Sequence, residues 1–129
     1  MTIRRTPIED MRHKSKVVFY HFPGGGGLMW AVATSPDTTL DLPGQAARTL
    51  EQIDGYLTEA GLDRRAIVRA EVIVTDHDQK PAFDRVWSDW MPIDHGPVRS
   101  FVQSVMPDGD LVEIIVTAAL PYDYPAPSK

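Results

Sequence analysis

The stretch LVEIIVTAA, residues 111–119, constrains the fold more than any other part of the chain. In a β-strand successive side chains alternate between faces. Val112, Ile114, Val116 and Ala118 then make one apolar face, and Leu111, Ile115 and Ala119 flank Glu113 and Thr117 on the other. A strand this apolar on both sides needs cover on both sides. The chain offers only two helical patterns, and both fit one face of a sheet. The other face is left for a second subunit, so the pattern predicts an oligomer, with ligand sites in the clefts between subunits.

Upstream, the apolar periods change between two and about three and a half residues. Lys16–Phe22 (KVVFYHF) is rich in β-branched and aromatic residues and reads as a strand, with Leu28–Thr34 as its return. The PGGGG between them is not followed by Gly-Lys-Ser/Thr and opens no helix, so it reads as a hairpin connection rather than a phosphate loop. SPDTTLDLPG reads as a loop. Ala46, Leu50, Ile53 and Leu57 define a helix over Gln45–Ala60, stopped at Gly61. Arg65–Asp76 reads as a strand with Val68, Ala70, Val72 and Val74 on one face. A second helix starts near Asp78, has Pro81 in its first turn and stops at Pro92. Phe83, Val86, Trp87, Trp90 and Met91 are its apolar stripe. Val98–Val105 and Leu111–Ala119 follow as strands, with Asp-Gly marking a turn between them.

The order β-β-α-β-α-β-β predicts an α+β fold: a mixed sheet with two helices on one face. A length of 129 residues fits one domain over 1–129, and a 43% hydrophobic content supplies its core. Residues 1–14 are expected to be mobile, and the proline-rich tail over about 121–129 extended or mobile.

Several chemistries are excluded or disfavoured. The chain has no cysteine, which removes disulfides, thiolate nucleophiles and zinc–thiolate sites. His13, His21, His77 and His95 lack metal-ligand spacing, so no metal site is expected. A net charge of −5 argues against nucleic-acid binding. The local basic cluster of Arg4, Arg5, Arg12, Lys14 and Lys16 reads as a solvated terminus. No apolar run resembles a signal peptide or a membrane span, and the expected setting is cytoplasmic. Ser100 has no triad partners, and Trp87 and Trp90 fall at core spacing rather than on a base-stacking surface.

One residue resists a purely structural account. In HGPVRSFVQS, residues 95–104, Arg99 shares a face with Phe101, Gln103 and Val105. A guanidinium is rarely buried without a partner. Either that face is open to water or something anionic meets the arginine there. His95, four residues earlier, could line the same cleft or simply belong to the loop.

Three blocks, GQAARTLEQIDGYLTEAGLDRRAIVRAEVIVTDHDQKPAFDRVWSDWM, GPVRSFVQS and LVEIIVTAAL, resemble the RidA (YjgF) family of imine/enamine deaminases in order and spacing, over about residues 14–120. The resemblance implies a chorismate-mutase-like domain in a homotrimer, with the sheets lining a central barrel, the helices outside, and active sites between adjacent subunits. It implies hydrolysis of small 2-imino or enamino acids to 2-oxo acids and ammonia without metal or organic cofactor. Arg99 matches the family arginine that binds the substrate carboxylate, a role that suits a planar guanidinium fork. Glu113 matches the acidic residue that orients water or shuttles a proton. Ala33, Thr34 and Ser35 match the loop whose backbone groups complete the pocket.

The chain also departs from the family pattern. Lys14 stands where many active members carry tyrosine, and Phe101 where many carry cysteine. The segment from Val32 to Pro36 replaces Ser-Gly-Gln-Ile-Pro. Lys14 would either add a contact to an anionic substrate or simply be exposed, and Phe101 would narrow the pocket or change its specificity. These departures keep a second function in view: a non-catalytic trimer that binds small carboxylates as sensor or carrier. Ribonuclease activity, also attributed to the family, is disfavoured by the acidic balance and the lack of an aromatic-basic surface pattern.

Overall fold

A computed structural model of the chain describes residues 2–125. It contains six strands, β1 (Ile3–Ile8), β2 (Met11–His21), β3 (Gly27–Thr34), β4 (Ile67–Val74), β5 (Val98–Gln103) and β6 (Val112–Leu120). Two helices, α1 (Leu42–Glu59) and α2 (Lys80–Trp90), complete it. The strands form one mixed sheet in the order β1-β2-β3-β6-β4-β5. All neighbours are antiparallel except β4 and β5. The expected α+β architecture is therefore present.

The core lies between the sheet and the helices. Val112, Ile114, Val116 and Ala118 of β6 are at most 1% exposed, packed with Met29 and Ala31 of β3 and Leu50, Ile53 and Leu57 of α1. The opposite face carries half-buried Val18, Trp30, Val32 and Ile115 with no helix over it. This is the second apolar face that the alternation in β6 demands.

The first strand is a correction. Residues 1–14 were expected to be mobile, yet β1 pairs with β2 from Ile3↔Tyr20 to Ile8↔Met11. Its basic side chains are not simply solvated: the Arg4 guanidinium lies 4.1 Å from the Phe19 ring centroid. The element order is thus β-β-β-α-β-α-β-β. At the other end, residues 121–125 turn back onto the core. The Tyr124 hydroxyl donates to the Ala60 carbonyl at 2.6 Å and its ring stacks on Phe19. The rest of the expected tail, 126–129, lies outside the described residues.

Two boundaries move for identifiable reasons. Helix α1 begins three residues before Gln45, because the Asp41 side chain caps it by accepting from the Gly44 N–H and Pro43 sits in its first turn. In β4 a register shift between Ile67 and Arg69 breaks the alternation. Ala70, Val72 and Val74 are fully buried as expected, but Val68 is 48% exposed and Ile67 takes the inward place.

The last two strands are not a hairpin. The segment β4–α2–β5 is a parallel crossover, so β5 lies outside β4 and β6 returns on β4's other side. The Asp-Gly turn is real, with Asp108 and Gly109 at φ 60° and 83°, but it spans β4's end rather than joining neighbours. Gln45 holds this turn. Its fully buried amide donates to Gly109 O at 3.1 Å and Leu40 O at 3.2 Å, and accepts from Leu111 N at 2.9 Å. Gln45→Leu strands these backbone groups and is expected to lower the unfolding free energy by about 2 kcal/mol in urea denaturation. A variant indistinguishable from wild type would show that the amide does not hold the loop.

Candidate functional site

The sheet opens a cavity because β2 and β3 diverge. They pair only from His21↔Gly27 to Val17↔Ala31, whereas β3 continues along β6 as far as Thr34↔Glu113. Val32, Ala33 and Thr34 are thus paired with β6 but not with β2, which leaves backbone groups on that edge free to meet a ligand. The fork is a cavity of about 660 Å³ lined by Lys14, Lys16, Ala33, Thr34, Ser35 and Glu113. It passes through the sheet: Gln52 and Tyr56 of α1 wall it on the helix side and Val32 on the other. Pro107, Asp108 and Asp110 border it from the Gln45-held turn.

The loop after β3 is fixed by its own side chains. The buried Ser35 hydroxyl donates to Asp37 O at 2.9 Å and accepts from Asp37 N at 3.1 Å. Asp37 in turn accepts from the Thr39 hydroxyl and N–H, which hold its carboxyl below the ordinary value. Ser35 therefore shapes the loop, and its hydroxyl is already engaged. Burial pushes the Asp110 carboxyl up, and the charge of Asp108 adds to the rise. Burial likewise raises Tyr56, with Glu59 contributing.

Arg99 is elsewhere. Ala70, Val72 and Val74 face the helices, and their partners in β5 are Arg99, Phe101 and Gln103. Arg99 thus points toward α2, with its side chain 16% exposed. The anion that meets it is Asp84 of α2, at 2.7 Å. Lys80, one turn before, donates to the other oxygen of Asp84, also at 2.7 Å. The rings of Phe83, Trp87 and Phe101 surround the guanidinium carbon at 5.5, 5.2 and 5.4 Å. Burial pushes the Asp84 carboxyl up, but the bonds from Lys80 and Arg99 outweigh it and bring it below the ordinary value.

Five of the seven residues marked in the sequence therefore line one cavity: Lys14, Ala33, Thr34, Ser35 and Glu113. Arg99 and Phe101 form a separate cluster, two strands away from β6 and on the opposite face of the sheet from Glu113. Within one chain the two groups cannot converge on a small molecule. His95 is exposed in the loop before β5, its Nδ1 3.1 Å from Ile93 O. Trp87 and Trp90 pack against the core as expected, and Trp87 also walls the guanidinium.

Sequence reasoning missed Lys80 and Asp84, whose i,i+4 spacing was visible but whose pairing with β5 was not. It also missed Gln52 and Tyr56, another i,i+4 pair. Among the described residues no group of three or more His, Cys, Asp or Glu side chains could hold a metal ion. No helix there is long and apolar enough to cross a membrane.

The fold and this divided site define a mixed α+β domain with a forked-sheet cavity and an arginine cluster on its helix-covered face. Residues 31–120 match the family model described as Endoribonuclease L-PSP. The chain belongs to that family, also known as YjgF/RidA. Over 77 residues it is 35% identical to the RutC family protein YoaB of Escherichia coli K12, covering 59% of this chain and 68% of that one. A member of the conserved Rid protein family from Yersinia pestis is 26% identical with a TM-score of 0.71, over 90% of this chain and 94% of that one. A YjgF family member from Neisseria meningitidis shares the fold, with a TM-score of 0.79 at 24% identity, over 94% and 97% of the two chains.

Proposed function

We propose that the chain hydrolyses small 2-imino and enamino acids to 2-oxo acids and ammonia, in clefts between the subunits of a homotrimer. The observation that carries this reading is the division of the site. The Arg99 cluster and the Glu113 cavity are different surfaces of one chain, and a head-to-tail contact between copies unites them. Such a contact closes as a three-membered ring when its rotation is a third of a turn. The exposed edge strand β5 supports it, with Val98 71% and Val102 48% exposed, and Val105 just beyond it 95% exposed.

In this reading Arg99 of one copy binds the substrate carboxylate. The neighbouring fork presents Glu113 to a water molecule. That water adds to the electrophilic C=N carbon, and its proton passes by way of Glu113 to the nitrogen. The carbinolamine hydroxyl then passes its proton to the amino nitrogen by way of Glu113, and C=O forms as ammonia leaves; an enamino acid enters the same path after protonation at its β-carbon. Lys14 and the free backbone groups of 32–34 hold the rest of the substrate. No metal or organic cofactor takes part.

Ammonia release from an imino acid generated in situ by an amino-acid oxidase tests the reading. The wild type is expected to exceed the uncatalysed rate, and Glu113→Gln to lower kcat by about a hundredfold with little change in KM. Release at the uncatalysed rate by the wild type would refute catalysis. The second reading, a carboxylate-binding sensor or carrier, is supported by the departures at Lys14, Phe101 and the 32–36 loop, of which Phe101 packs on the Arg99 guanidinium. Calorimetric binding of pyruvate without turnover would establish it. Ribonuclease activity is disfavoured by the net charge of −5 and by a cavity in which Asp108, Asp110 and Glu113 outnumber Lys14 and Lys16.

A further inference from the structure

We infer that Asp84 makes the Arg99 site selective for monocarboxylates with uncharged, apolar side chains. The inference rests on the reading of Arg99 as the carboxylate anchor and names the substrate class that this anchor accepts.

Lys80, Asp84 and Arg99 form one continuous charge cluster, with Asp84 bridging the two cations at 2.7 Å on each side. The cluster carries one net positive unit, which a single ligand carboxylate balances. Asp84 engages Arg99 through Nη2, and a guanidinium presents five N–H donors. An edge of the fork therefore remains for a bidentate partner. A carboxylate seated there shares the guanidinium with Asp84, so the two anions lie only a few ångströms apart.

The surroundings decide how strongly they repel. Three aromatic rings pack around the guanidinium, and water screens charges less there than at an open surface. One carboxylate is compensated by the fork itself. Within this cluster a second carboxylate has no such compensation, because Lys80 is bonded to Asp84; only a ligand long enough to reach Lys14 of the neighbouring copy would find one. Asp84 is ionised across the neutral range, since Lys80 and Arg99 hold its carboxyl below the ordinary value against the opposing effect of burial. An apolar side chain meets the opposite situation. The Phe101 and Trp87 rings are partly buried and offer it contact, and the His77 ring, 5.2 Å from Phe101 edge-on, extends that surface.

Asp84 is 38% exposed and sits on the surface of α2, so Asp84→Asn removes the charge while keeping the shape. The test measures binding of 2-oxobutyrate, a monocarboxylate, and 2-oxoglutarate, a dicarboxylate, by calorimetry. Four proteins are compared: wild type, Asp84→Asn, Asp84→Glu and Arg99→Ala. The wild type is expected to prefer 2-oxobutyrate. Asp84→Asn is expected to reduce that preference by about tenfold, and Asp84→Glu, which keeps the charge, to restore it. An unchanged preference in Asp84→Asn, with both ligands still lost in Arg99→Ala, overturns this inference and leaves the carboxylate anchor standing. Binding that survives in Arg99→Ala, or no binding by the wild type, overturns the anchor and this inference with it.

Discussion

On the proposed deaminase reading, Arg99→Ala is expected to lower kcat/KM by about a thousandfold or more, while its mass in light scattering matches that of the wild type. The size of the effect follows from what the side chain supplies. A bidentate guanidinium fixes both the position and the plane of a carboxylate, and so aims the adjacent C=N carbon at the attacking water. Alanine removes the charge and the geometry together. Arg99→Lys keeps the charge but not the fork, and is expected to recover only a small part of the loss. Stability changes far less. Asp84 keeps its bond from Lys80 through one oxygen, and truncating Arg99 opens the other, buried against the guanidinium in the wild type, to water. Ammonia release, light scattering and a thermal melt on the same preparation separate these outcomes. Full turnover in Arg99→Ala would remove Arg99 from the mechanism.

The alternation in β6 was readable from the sequence because it reflects local geometry. Two-residue periodicity placed Val112, Ile114, Val116 and Ala118 on the buried face, and Arg99 on the same face as Phe101 and Gln103. The same reasoning found the glycine hairpin, since Gly25, Gly26 and Gly27 all adopt positive φ. It failed where pairing partners decide. β1 has weak alternation and no buried side chain, and it is a strand because β2 pairs with it. The shift at Ile67–Arg69 carries no glycine or proline to announce it.

The candidate site divides along the same line. The residues of the fork were found through motif resemblance, and the structure gathers Lys14, Ala33, Thr34, Ser35 and Glu113 around one cavity. That Arg99 lies on the opposite face from Glu113 depends on β4 separating β5 from β6, a long-range arrangement that reading 98–119 as a hairpin hides. The partnership of Arg99 with Asp84 depends on the same crossover. Only once β5 is laid parallel to β4 under α2 do the two charges meet.

Gly27→Ala is expected to destabilise the fold by about 3–5 kcal/mol, equivalent to a drop in melting temperature of about 10 °C or more. Gly27 has φ +156°, a conformation that side chains rarely adopt. A Cβ built there would overlap the Tyr20 carbonyl oxygen and lie 3.1 Å from the His21 Cα. These are backbone atoms, so no side chain can swing aside. Nor can the strand retreat, because Gly27 is paired to His21 on one side and to Leu120 on the other. The clash must therefore break ladder bonds at the closed end of the β2–β3 hairpin, whose open end is the fork that holds Lys14 and Thr34. Gly24, three residues earlier in the same run, has nothing within 4 Å of a built Cβ, so Gly24→Ala should melt with the wild type. Urea titrations of the two variants followed by tryptophan fluorescence compare them directly. Equal midpoints would mean that the hairpin relieves the contact by shifting β2 against β3, and the register that sets the fork would then not be fixed at this residue.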